Sequence, residues 1–159
     1  MVSPIPPGME SAIPYMTFQD CKEALAFYEK AFGAELLMSM PGPNGEGTLH
    51  AEMRVLGSII MMTDENPQWN LVSAKTLGNS PVSLMFYCED ADAVFEKAAA
   101  AGCEVVGPCM DMFWGDRMGK LQDPFGYQWA VATHIEDVSD EEMPARHAEW
   151  LEKMQGECG

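Results

Sequence analysis

The sequence has no hydrophobic run long enough to cross a membrane, and it has few basic residues. No segment reaches the roughly 18 apolar residues of a transmembrane helix, and the start, "MVSPIPPGMESAIP", lacks the features of a secretion signal. Nine Lys and Arg against 25 Asp and Glu give a formal charge of −16. Nucleic-acid binding needs a basic surface, which this composition argues against. We therefore expect a cytoplasmic protein that binds neither nucleic acid nor membrane.

The sequence also lacks paired cysteines. Its five cysteines include no C-x-x-C pair, and one would remain unpaired in any disulfide framework. The spacing does not suit a structural zinc site either. We expect reduced thiols in a reducing compartment.

What the chain does contain is an internal repeat with a period of about 70 residues. In each copy, a helical pattern follows Asp20 or Asp90 and ends at Gly33 or Gly102. Such residues are typical of a helix N-cap and of the position after a helix. A strand pattern precedes each helix, and a strand and a hairpin follow it.

This repeat predicts an α+β fold in which residues 1–159 form one domain. Two β-α-β-β-β modules, residues 11–64 and 81–134, are joined by a linker over residues 65–80. A helical tail is predicted over residues 139–155. Ser139 and Glu142 have the spacing of a capping box, and Pro144 suits a first helical turn.

Several stretches resemble the vicinal oxygen chelate superfamily, which includes glyoxalases, bleomycin-resistance proteins and dioxygenases. They are "PYMTFQDCKEALAFYEKAFGAE", "HAEMRV", "FWGDRMGKLQDPFGYQW" and "ATHIEDVSDEEM", and they are most similar to the PhnB-type glyoxalase-like branch. The resemblance implies curved sheets that form a cup around a small molecule. It also implies a homodimer, since members commonly build their cups from paired modules. It does not imply one reaction, because one fold hosts many functions.

The metal-dependent members place ligands on the first and last strands of each module. In this sequence those positions are Ile13, Met61, Ser83 and Ala130. Divalent cations at such sites need carboxylate or imidazole ligands, and none of these four residues supplies one. We predict no metal at this site and no other cofactor.

The stretch "HAEMRV-LG-SIIMMT" predicts a hairpin with a two-residue turn at Leu56 and Gly57. That register pairs Glu52 with Met61 and places His50, Glu52 and Arg54 on the same face as Met61, inside the cup. The opposite face is apolar and suits a position under helices. It consists of Leu49, Ala51, Met53, Val55, Ile60 and Met62. A one-residue bulge would invert this assignment.

Three interpretations of this polar face remain open. Glu52 and Arg54 could form an ion pair with His50 near solvent, the face could recognise a ligand, or His50 and Glu52 could act as an acid–base pair. Residues at neighbouring inward positions or in the loop before the second hairpin are further ligand-binding candidates: Tyr15, Thr17, Arg54, Met61, Met85, Tyr87, Trp114 and Arg117.

The function expected first is metal-independent binding of a small molecule that the sequence does not identify. The alternatives are a glyoxalase-like lyase or isomerase that uses His50 and Glu52 on a small carbonyl compound or thiol adduct, and a structural subunit whose cup is filled by its own side chains. The sequence alone leaves open whether the protein is an enzyme.

Overall fold

The computed structural model describes residues 3–157, and side-chain surroundings for residues 3–154. Two copies of the order β-α-β-β-β follow one another, with a short helix between them and a longer one at the end. In chain order the elements are β1 Tyr15–Phe18, α1 Cys21–Phe32, β2 Glu35–Pro41, β3 Thr48–Val55, β4 Ser58–Asp64, α2 Ala74–Leu77, β5 Ser83–Tyr87, α3 Ala91–Ala101, β6 Glu104–Asp111, β7 Asp116–Gln122, β8 Gln128–His134 and α4 Met143–Glu157.

Each copy forms its own four-stranded sheet. The strand orders are β1-β4-β3-β2 and β5-β8-β7-β6, so the two sheets have the same topology. In each sheet the first and last strands of the copy are parallel, and the other neighbours are antiparallel. The predicted duplicated α+β fold with a C-terminal helix is confirmed.

The predicted helix boundaries are also confirmed. The Asp20 carboxylate accepts hydrogen bonds from the backbone N–H groups of Lys22 and Glu23, which satisfies two donors of the first turn of α1. Asp90 accepts the corresponding bond from Ala93 at the start of α3. Gly33 ends α1 at φ 69°, in the left-handed region that favours glycine.

The first hairpin has the predicted register. Leu56 and Gly57 have φ 46° and 84°, and Glu52 lies opposite Met61 and Arg54 opposite Ile59. Met53, Val55, Ile60 and Met62 are fully buried in the core with α1. Leu49 departs from the prediction, because it is 41% exposed and does not belong to this core.

Helices α1 and α3 each cover one face of a sheet and also pack against each other. We call the face of each sheet turned away from these helices its open face. On the first sheet the open face carries Tyr15, His50, Glu52 and Met61, which alternate with the buried residues. The repeat makes Met61 of the first sheet equivalent to Ala130 of the second. Glu52 pairs with Met61 and Lys120 pairs with Ala130, so Lys120 is the counterpart of Glu52.

A buried turn between β7 and β8 ties the two modules together. The carboxylate of Asp123 accepts bonds from the hydroxyl of Tyr28 on α1 at 2.5 Å and from Trp129 Nε1 at 2.7 Å. It also accepts the backbone N–H groups of Phe125 and Tyr127, each at 2.9 Å. Phe32 of α1 packs on Trp129 of β8, with ring centroids 4.7 Å apart. One hydrophobic core therefore spans both modules.

The segments outside the two modules contain helical structure. The linker contains α2 and a 3-10 turn, Pro67–Trp69. The capping box is present, since Glu142 N–H donates to Ser139 Oγ and Glu142 Oε2 accepts from Ser139 N–H, but regular helix begins only at Met143. No helix within residues 3–157 is long and apolar enough to cross a membrane.

Four cysteines lie in the described part of the chain, and all four are free: Cys21, Cys88, Cys103 and Cys109. Burial raises the pKa of each thiol, to about 12 for Cys103. A raised pKa leaves little of a cysteine in the thiolate form, which is the nucleophilic one, near neutral pH. Cys158 lies outside the described residues.

Candidate functional site

A chain of three hydrogen-bonded side chains lies on the open face of the first sheet. Tyr15 Oη is 2.8 Å from His50 Nδ1, and His50 Nε2 is 3.3 Å from Glu52 Oε1. The parallel pairing of β1 with β4 brings Tyr15 next to Met61, across from Glu52. The side chains of His50 and Glu52 are only 18% and 17% exposed, whereas Tyr15 is 52% exposed. No third group to orient His50 could be identified from the sequence, and the structure places Tyr15 in that position.

The hydrogen bonds define how this chain can hold a proton. Burial, and then the nearby Cys21, raise the pKa of the Tyr15 phenol, so that Tyr15 remains a hydroxyl near neutral pH. A neutral His50 then accepts the Tyr15 O–H at Nδ1 and donates its Nε2–H to Glu52. Both imidazole nitrogens are engaged by the protein. The groups that remain open to a ligand are the Tyr15 hydroxyl and the second oxygen of Glu52.

Arg54 does not pair with Glu52, so the interpretation of this face as a Glu52–Arg54 ion pair is wrong. Arg54 Nη1 lies 2.9 Å from Glu35 Oε2 on the neighbouring strand β2, where Glu35 is its cross-strand partner. Both side chains are about half exposed or more, which makes this a surface pair of small energetic value. In the part of the chain that the structure describes, Glu52 bonds to His50 and has no Lys or Arg within 4 Å.

The four positions implied for a metal do not fit one. Met61 and Ala130 lie near the middle of the two sheets, opposite Tyr15 and Met85, and Ser83 begins β5. These side chains do not make a site for a divalent cation. Met61 offers a thioether and Ser83 a neutral hydroxyl, and the alkyl side chains of Ala130 and Ile13 have no ligand atom. Within residues 3–157, no group of three His, Cys, Asp or Glu side chains is placed to hold a metal ion elsewhere.

The second sheet carries a different polar cluster, centred on Asp116. Its carboxylate is 3% exposed and accepts the Tyr87 hydroxyl at 2.7 Å, Trp114 Nε1 at 2.8 Å and His134 Nδ1 at 2.8 Å. His134 Nε2 lies 3.0 Å from Asp137 in the segment that leads to α4. The cluster fixes the Trp114 indole and attaches the tail to the second sheet.

The charges in this cluster support one another. Burial opposes ionisation of Asp116, but the bonds from Tyr87, His134 and Trp114 outweigh it and lower the pKa of the carboxyl. Hydrogen bonds to Asp116 and then Asp137 raise the pKa of the His134 imidazole. Each of the two groups therefore favours the charged form of the other. Sequence reasoning missed Asp116 and His134, although the register of the second hairpin places them opposite each other.

Arg117 lies on the other side of the second sheet. Its guanidinium bonds Asp92 on α3, through two nitrogens, and Asp111 at 2.9 Å. These bonds raise the pKa of Arg117 and hold it on the helix-covered face. The structure does not place it with the other predicted site residues.

The remaining predicted residues divide between the two open faces. Tyr15, Thr17 and Met61 lie with His50 and Glu52 on the first, and Met85 and Tyr87 lie on the second. Thr17 is 9% exposed, and its backbone is bonded to the hydroxyl of Tyr127, so it contributes mainly to the join between modules.

The model of the Glyoxalase/Bleomycin resistance protein/Dioxygenase superfamily matches residues 15–131. The chain belongs to this superfamily. Among its superfamily relatives, Mb0911c from Mycobacterium bovis is 36% identical over 135 residues, which cover 83% of this chain and 88% of that protein.

Solved structures of superfamily-like proteins have the same fold. TioX from Micromonospora sp. ML1 matches with a TM-score of 0.62 at 22% identity, covering 82% of this chain and all of TioX (100%). A PhnB protein from Bacillus cereus matches with a TM-score of 0.60 at 22% identity, covering 78% of this chain and 99% of that protein. At this level of identity the likeness extends to the fold alone.

Proposed function

We propose that this superfamily member is a metal-independent, PhnB-type protein that binds a small molecule on the open face of its first sheet. The observation that carries the proposal is the Tyr15–His50–Glu52 chain beside Met61. A fixed set of polar groups next to apolar side chains is typical of small-ligand sites, where a few placed polar atoms set orientation. The poor fit of Ile13, Met61, Ser83 and Ala130 to a divalent cation supports metal independence.

The arrangement favours ligand recognition over acid–base chemistry, because both ring nitrogens of His50 are already hydrogen-bonded to Tyr15 and Glu52. To take a proton from a substrate, its imidazole would have to give up a bond to Tyr15 or Glu52. A ligand can instead be held by the exposed Tyr15 hydroxyl and by the free oxygen of Glu52, with Met61 as an adaptable apolar contact.

The test combines metal analysis with a ligand screen. Purified protein should contain less than stoichiometric Zn, Ni, Fe and Mn by elemental analysis, and excess metal should leave the melting temperature unchanged. Compounds that raise the melting temperature of the wild type should lose most of that effect in Tyr15→Phe and Glu52→Gln. Arg54→Gln, on the same face but paired with Glu35, is the matched control and should retain it. One tightly bound metal per chain, or stabilisation equal in all variants, would overturn the proposal.

A second candidate function is a glyoxalase-like lyase or isomerase acting on a small carbonyl compound or thiol adduct. What favours it is the unbroken path of hydrogen bonds from the exposed Tyr15 oxygen through His50 to Glu52. General acid–base groups typically contribute about 10²–10⁴-fold to a rate. The wild type should turn over aldehyde–thiol adducts, and a loss of rate by that factor in His50→Asn would support this function. Turnover equal to the uncatalysed rate in the wild type would exclude those substrates.

We further propose that the chain is a homodimer. The open faces expose large apolar side chains, Tyr15 at 52%, Met85 at 47% and Tyr87 at 58%. Large apolar side chains that remain exposed on the face of a sheet are candidates for burial in an interface. Two-fold pairing is the commonest oligomeric arrangement. Light scattering at low micromolar concentration should give twice the chain mass, and a monomer mass at every concentration would refute this.

A further inference from the structure

A cavity of about 330 Å³ lies against the second sheet, between strands β6 and β7 and helix α4. That volume is at the lower end of the range for small-molecule sites, roughly 300–1,000 Å³. Nine residues line the cavity, and those that contribute large side chains are Met110, Met112, Trp114, Met118, Lys120 and Trp150. Trp150 belongs to α4, which lies beyond the residues 15–131 that match the superfamily model.

The aromatic walls are held in place by contacts outside the cavity. The Trp114 indole N–H is bonded to the buried Asp116 carboxylate at 2.8 Å. Phe113 packs edge-on against Trp114 with ring centroids 4.9 Å apart, and lies 5.6 Å from Trp150. Because Asp116 satisfies the polar atom of Trp114, the indole can offer a flat apolar surface to a ligand without leaving a donor unpaired.

The charge inside the cavity is opposite to that of the protein as a whole. Of the described residues that line it, Lys120 alone is charged and none is Asp or Glu, although the chain has 25 acidic and nine basic residues. Among the residues that the structure describes, no carboxylate lies within 4 Å of the Lys120 ammonium group. The cavity therefore suits an anion and disfavours a cation.

We propose that this cavity binds a flat, apolar fused-ring molecule that carries one anionic group, such as a carboxylate or sulfonate. The ring system lies against Trp114, Trp150 and the three methionines, whose flexible thioethers adapt to its outline. The anion pairs with Lys120. This cavity is a second site, separate from the one proposed on the first sheet, and it shares no lining residue with it.

The test uses 8-anilinonaphthalene-1-sulfonate as the probe and the full chain labelled with ¹³C at its methionine methyl groups. Binding should shift the methyl signals of Met110, Met112 and Met118 and leave those of Met38, Met40 and Met61 on the first sheet unchanged. Lys120→Gln should weaken binding about tenfold, because a charge-assisted hydrogen bond is lost. Lys75→Gln, on helix α2 and outside the residues that line the cavity, is the matched control and should bind as the wild type does.

A neutral probe and a wall variant separate the charge effect from the apolar contact. N-phenyl-1-naphthylamine, which lacks the sulfonate, should bind the wild type about tenfold more weakly. Trp150→Ala should weaken both probes, whereas Trp69→Phe, in the linker, should weaken neither. The neutral probe needs no variant, so it tests the charge requirement even if a substitution prevents folding.

Three outcomes would overturn the inference. They are the absence of probe binding, equal affinity of the two probes, and methyl shifts confined to Met38, Met40 and Met61. The last outcome would leave the proposed binding role intact, since it would place the ligand on the first sheet. The reverse result is also possible: the probe shifts Met110, Met112 and Met118, and the screened compounds stabilise Tyr15→Phe as much as the wild type. That result would mean that the cavity binds a ligand and the first sheet does not.

Discussion

Replacing the buried Asp123 by asparagine should destabilise the whole chain, because this carboxylate joins the turn of the second module to α1 of the first. One of its oxygens accepts two backbone N–H groups, and the other accepts Tyr28 and Trp129. Burial raises the pKa of Asp123 and its four donors only partly oppose that effect, so the carboxylate is costly to bury and depends on every bond.

The size of the effect follows from the chemistry of the amide. If the asparagine oxygen stays with the two backbone donors, its NH₂ group faces Tyr28 and Trp129. The Tyr28 hydroxyl can rotate and accept, but the Trp129 N–H is a donor only and loses its partner. One orphaned buried donor costs about 1–3 kcal/mol, so we expect Asp123→Asn to lower the free energy of unfolding by about 2 kcal/mol.

Urea unfolding followed by tryptophan fluorescence measures this loss. Tyr28→Phe removes only one of the four bonds and should cost about 1 kcal/mol. Asp140→Asn, at an exposed site in the turn before α4, is the matched control and should stay within about 0.5 kcal/mol of the wild type. The reasoning fails if Asp123→Asn unfolds at the same urea concentration as Asp140→Asn.

Three further predictions concern other parts of the structure. Gly119→Ala should cost about 1–3 kcal/mol, because a Cβ there would lie 2.6 Å from the Phe95 ring; Gly107→Ala, whose Cβ would meet nothing closer than 3.8 Å, should cost much less in the same urea assay. The contribution of Asp116 to folding stability is present above about pH 3.8 and is lost as pH falls through its lowered pKa. The contribution of His134 is complete below pH 6.5 and is lost as pH rises through its raised pKa. The melting temperature of the wild type should therefore fall at both ends of the pH range, and His134→Gln should abolish the loss on the alkaline side. Glu35→Gln should change thermal stability hardly at all, since its bond to Arg54 is exposed, and a large loss would contradict that view.

The first hairpin could be predicted from sequence because its turn fixes its register. Two residues at positive φ make a tight two-residue turn, and everything paired across it follows by counting. The partner of Arg54 could not be predicted in this way. It lies on β2, whose pairing with β3 is shifted between Leu36 and Met38, and a shift of this kind leaves no clear mark in the sequence.

The second module shows the same limit. Trp114 and Arg117 are three residues apart in one stretch, and the sequence suggested that both face a ligand. Strand β7 begins at Asp116, however, so Arg117 points to the helix side and meets Asp92, which is 25 residues away in the chain. Long-range partners such as these depend on how α3 packs on its sheet, and local patterns do not carry that information.

The equivalence of Glu52 and Lys120 has a consequence for any ligand that touches both sheets. Duplication produced two scaffolds with the same strand order, yet equivalent inward positions now carry opposite charges, and His50 has Met118 as its counterpart. A cup assembled from one face of each kind would have an electrically negative wall and a positive one. Such a cup distinguishes the two ends of its guest, so a molecule with one anionic end would enter in a single orientation, and a molecule with identical ends would always leave one wall mismatched.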